Sequence, residues 1–141
     1  MAILWPFTRA YEVAKLERDA IHICDDAERR FPVDQVRALA GALRGRIEET
    51  AQRLEQPRMT HANVLAELRG HHREARRRRR DRDLSELTLA IIRLKAEELG
   101  AAGAVDAIDR FLERWPPTGA KDEPEGKNGP NRPPGAGRDE P

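Results

Sequence analysis

The chain predicts an all-α fold. Four to five antiparallel helices should form a bundle or a long helical hairpin, followed by a disordered C-terminal tail. Three observations lead there. Apolar residues recur every three or four positions through most of residues 8–115. Prolines, a threonine and a glycine stand where such runs begin and end. Within 1–115 no alternating β-branched run or Asn-Gly hairpin competes.

The first helix is expected over 8–31. Val13, Leu16, Ala20, Ile23 and Ala27 form its stripe, Thr8 is the expected N-cap, and Phe31-Pro32 ends it. The second is expected over 33–55, with Pro32 and Asp34 suited to its start. Its stripe is Val36, Leu39, Leu43, Ile47 and Leu54. Gly41 and Gly45 sit four apart in this helix, either admitting a close neighbour or tolerated at a cost of about 1 kcal/mol each.

Pro57 breaks the chain, and Thr60 caps a third helix over 60–80 with Val64, Leu65, Leu68 and Ala75. A fourth, 83–99, starts at an Asp83 capping box, carries Leu84, Leu87, Ile91 and Leu94, and ends at Gly100. A fifth, 102–115, holds Val105, Ile108, Phe111, Leu112 and Trp115 before Pro116-Pro117. A single helix over 60–99 is the alternative. At 100° per residue the stripes before and after the arginines differ by roughly 120°, which favours a break near 80–83.

Residues 1–115 are read as one helical domain and 116–141 as a tail. The tail holds seven of the ten prolines and five of the ten glycines, with no large apolar residue after Trp115. Such a segment buries too little to offset its ordering entropy. The one cysteine, Cys24, permits no internal disulfide and fits a reducing compartment. No signal peptide and no 18-residue apolar run is visible, so a soluble cytoplasmic protein is expected.

Charge is distributed unevenly. Residues 1–68 carry ten basic against eleven acidic side chains, and 83–115 carry four against seven. Residues 69–82 carry eight arginines against Glu74 and Asp81. Five consecutive arginines, Arg76 to Arg80, cover every side of a helix and leave no apolar face. Burying them unpaired would be prohibitively costly, so the stretch must be exposed.

Arg73, Arg76, Arg77, Arg78, Arg79, Arg80 and Arg82 are therefore the expected partner or phosphate contacts. Phosphate binding by about five of them would give a duplex-DNA salt slope of about −4 to −5. Protein contact, self-association included, is the other functional reading. A solvated helix laced by the pairs Glu74–Arg78, Arg77–Asp81 and Arg79–Asp83 is the plainest reading. The bias to 22 arginines over four lysines lends no extra weight to phosphate recognition, since nucleotide composition alone produces it. Aromatic residues do not interleave the run, so no base-reading signature accompanies it.

Other candidates are weaker. Asp19, His22, Asp25 and Asp26 share a helical face but lack a second metal-binding set. His71 and His72 diverge by about 100° and cannot chelate together; His61 reads as a surface residue. Cys24 reads as a small core residue and Ser85, the single serine, as a helix-start residue. Ile3, Leu4, Trp5 and Phe7 form an apolar cluster suited to fold back on the bundle or to dock on a partner or a membrane surface. No catalytic residue, cofactor, metal or small-molecule substrate is indicated. The expected function is a non-enzymatic helical interaction protein, an adaptor or structural component that self-associates or binds a protein. Nucleic-acid binding without sequence preference is the alternative.

Overall fold

A computed structural model describes residues 5–117. Among them every regular element is a helix: α1 (Trp5–Arg30), α2 (Val33–Leu54), α3 (His61–Arg77), α4 (Asp81–Leu99) and α5 (Ala102–Arg114). The expected tail lies outside the described residues beyond Pro117. So do Ile3 and Leu4, while Trp5 and Phe7 enter only as helical backbone.

Local chemistry sets each boundary. α1 begins at Trp5, so Thr8 lies inside the helix and is not its cap. Pro6 suits an early helical turn, its φ being fixed near the helical value. The carbonyl of Pro32 opens α2, accepting from Gln35 N at 2.9 Å and Val36 N at 3.0 Å. Thr60 caps α3 as expected, its Oγ1 accepting from the Asn63 N–H at 3.1 Å. Gly100, at φ +77°, ends α4 in the left-handed conformation that glycine adopts without steric cost.

The third and fourth helices are separate. The break falls at Arg78–Arg80, so Asp83 lies in the first turn of α4 rather than at its cap. Arg79 adopts φ +58°. The Arg80 N–H reaches the Ala75 carbonyl at 3.0 Å and the Arg79 N–H reaches that of Arg76 at 3.1 Å. These two bonds are a Schellman ending with arginine where glycine is usual. Stacking five like charges at helical spacing is unfavourable, and the turn spreads them.

Short connections reverse the chain four times, giving an antiparallel bundle. α4 lies at its centre, packed on all four other helices. It buries Ser85, Glu86, Leu87, Leu89, Ala90, Ile92, Leu94 and Ala96, which at 100° per residue cover about 220° of its circumference. The single stripe expected for it was too narrow for that reason. α3 packs on α4 through Val64, Leu68 and Ala75. α5 lies against α1 and α4, burying Ala104, Ile108 and Phe111. Burial of Phe111 alone contributes about 1.5–3 kcal/mol.

Polar side chains then fix the helices to one another. Glu86 is buried and accepts from Arg46 Nε at 2.6 Å, joining α4 to α2. Arg44 donates to the carbonyls of Leu112 and Trp115, the latter at 2.8 Å, and so caps the end of α5 from α2. Arg9 does the same for α4 through the Leu99 carbonyl. Glu28 on α1 accepts from Arg114 Nε at 2.9 Å and Trp115 Nε1 at 2.7 Å. Trp115 therefore meets α1 at Glu28, one turn before Phe31.

Candidate functional site

The ends of α1, α3 and α5 and the starts of α2 and α4 share one pole. The ion pair Arg30–Asp81 (3.4 Å) and the Glu28–Arg114 pair tie them together there. Three helix C-termini favour cations, and Arg29, Arg30, Arg76, Arg77 and Arg114 occupy those last turns. Two N-termini favour anions, and Asp34, Asp81 and Asp83 occupy those first turns. Part of the arginine run therefore complements helix dipoles.

The expected contact residues do come together at this pole. Arg73 and Arg76 to Arg80 are exposed, while Arg82 is half-buried. Their internal partners differ from the helical-spacing expectation. Glu74 takes Arg78 at 2.6 Å as expected, and Arg77 as well. The pairs Arg77–Asp81 and Arg79–Asp83 do not form, because the turn at Arg79 destroys the four-residue spacing. Asp81 meets Arg30 instead, and Asp83 meets Arg82 at 3.3 Å and Arg80 at 3.8 Å. Desolvation opposes ionisation of Glu74, but hydrogen bonds and charge from Arg77 and Arg78 hold its carboxyl below the usual range.

Arg73, Arg76 and Arg79 pair with no carboxylate among the described residues, and neither does exposed Arg69. Sequence reasoning passed over Arg69, as it did Arg29 and Arg30. The spacing 69, 73, 76 was a legible signal. The neighbouring end of α1 was not, since it depends on how helices pack.

The remaining candidates are absorbed into packing or ordinary ion pairs. Asp19 pairs with Lys15 at 2.9 Å and Asp26 with Arg30 at 3.1 Å. His71 is exposed, whereas His72 is partly buried with Nε2 at 3.2 Å from Thr88 Oγ1. Burial, then the nearby Arg76 charge, pushes the His72 pKa down. Cys24 is buried, and burial pushes its thiol up to about 12. Ser85 is buried in α4. Among the described residues, no three His, Cys, Asp or Glu side chains gather where they could hold a metal, and no helix is long and apolar enough to cross a membrane. No protein-family model, curated protein or solved structure matches this chain.

Proposed function

We propose that this chain is a non-enzymatic helical interaction protein, an adaptor or structural component. It uses the arginine pole for electrostatic contact with an anionic partner, which includes an acidic face of a second copy. The observation that carries this reading is the mismatch between the pole's guanidinium groups and the carboxylates that answer them. Glu74, Asp81 and Asp83 engage Arg77, Arg78, Arg30, Arg80 and Arg82, while Arg73, Arg76 and Arg79 stay exposed without such partners. A merely solvated charged helix would gain a few tenths of a kcal/mol from each internal pair, and here three arginines forgo even that.

Burial of Cys24 and Ser85, and engagement of His72 by Thr88, support a role without covalent or acid–base chemistry. Light scattering on wild type and an Arg77/Arg78/Arg79→Glu variant, each alone and with a 30-mer duplex at low and moderate salt, tests the reading. Either the duplex raises the mass of wild type but not of the variant, or the variant alone changes its own oligomeric mass. Identical behaviour of both proteins under all conditions would overturn contact with a duplex or a second copy through these arginines, and binding of poly-glutamate would then decide on an acidic protein partner.

A further inference from the structure

We propose that the outer face of α3 is a ladder for a phosphate backbone. Arg69, Arg73 and Arg76, continued at the turn by Arg79, bind duplex nucleic acid without reading its bases. This rests on the reading of the arginine pole as a contact surface, and it names the partner.

The ladder follows from helix geometry. The buried residues Val64, Leu68 and Ala75 define the side of α3 that meets α4. At 100° per residue, Arg69, Arg73 and Arg76 fall within about 60° of arc, on a flank roughly 130° away from that side. Glu67 and Glu74 lie on the other flank. There Glu67 is held by Arg53 of α2 at 2.6 Å, and Glu74 by Arg77 and Arg78. The two acidic residues of α3 are therefore segregated from the ladder, which has no carboxylate within salt-bridge reach among the described residues.

Spacing and chemistry favour a polyphosphate over a protein. At 1.5 Å per residue, Arg69 to Arg76 spans about 10 Å. Duplex DNA carries a charge every ~1.7 Å of its axis with both strands counted, so phosphates lie within reach along the whole of that length. A protein interface needs a buried apolar core, usually with aromatic anchors. The exposed side chains preceding the arginines on this flank are Ala62 and Ala66, which supply none. Phosphate contact requires no apolar core, and guanidinium is suited to bidentate phosphate bonding. Contacts to phosphates carry no base information, so discrimination among sequences is not expected.

The test is fluorescence anisotropy with a labelled 20-bp DNA duplex and, separately, a labelled 20-residue poly-glutamate. Each is titrated between 50 and 200 mM salt. Four contacts predict a logarithmic salt slope of about −3 to −4 on the duplex, an affinity loss of about 100-fold across that range. Arg69/Arg73/Arg76→Gln should reduce the slope to about −1. Glutamine resembles arginine in helix propensity, and circular dichroism checks that the variant stays folded. Arg18/Arg37/Arg58→Gln removes the same charge from exposed positions on α1, on α2 and in the α2–α3 connection, and should keep the wild-type slope. An equal loss in both variants would overturn the ladder, since net charge alone would then explain binding. Poly-glutamate bound as tightly as the duplex would overturn the polyphosphate assignment while leaving the electrostatic-contact reading intact. Binding of neither probe, with wild type and the Arg77/Arg78/Arg79→Glu variant scattering alike, would overturn both.

Discussion

Gly41 and Gly45 are exposed on α2, where a methyl group at either position would meet nothing within 4 Å. The four-residue spacing that suggests a close helix neighbour is thus a tolerated cost, because among the described residues no neighbour covers that face. Gly41→Ala and Gly45→Ala should each stabilise the fold by about 1 kcal/mol, read as a rise in the urea midpoint at constant m. Gly103 is a different case. A Cβ there would lie 2.6 Å from the Glu17 side chain, so α5 meets α1 closely at this point. The strained residues are Arg58 (φ +67°) and Arg79 (φ +58°), each in a turn where glycine would be relaxed. They stand at opposite poles, one in the α2–α3 connection and one between α3 and α4.

At the scale of elements, α5 depends on polar ties at its end as well as on Phe111 and Ile108. Burial disfavours the charged form of Glu28, but hydrogen bonds from Arg114 and Trp115 and the Arg114 charge outweigh it and lower its pKa. A carboxyl depressed in the folded state contributes stability that is present above its unfolded pKa, about 4.3. That stability is lost as pH falls through the folded value. Glu28→Gln should therefore weaken the fold at neutral pH and flatten its acid limb below about pH 4.3, measured by thermal melts across pH 2–7. Most helix ends were legible in sequence, because Pro32, Thr60, Gly100 and Pro116 act locally. The start of α1 was missed, although Pro6 suits an early helical turn. The width of the buried face of α4 was hidden for a different reason. Glu86 looks solvent-facing until Arg46 of another helix is brought 2.6 Å from it.

For the whole molecule, an almost neutral chain becomes polarised by folding. The bundle gathers Arg29 and Arg30 beside the run at 76–82, then answers part of that charge with Asp26, Glu74, Asp81 and Asp83. The exposure of the run was legible, since no burial of five adjacent arginines is affordable in desolvation terms. Which arginines stay unpaired was not, because that depends on the turn at Arg79 and on the end of α1. Unpaired arginines at this pole and along α3 are proposed to bind a phosphate backbone. The most direct test compares duplex affinity and thermal midpoint for Arg79→Gly and Arg58→Gly. Both relieve the same backbone strain and should gain about 1 kcal/mol, a rise of roughly 4 °C. Both also remove one exposed positive charge. The account predicts that only Arg79→Gly weakens duplex binding, lowering the salt slope by about one. Equal weakening in both variants, or undiminished binding by a stabilised Arg79→Gly, would contradict it.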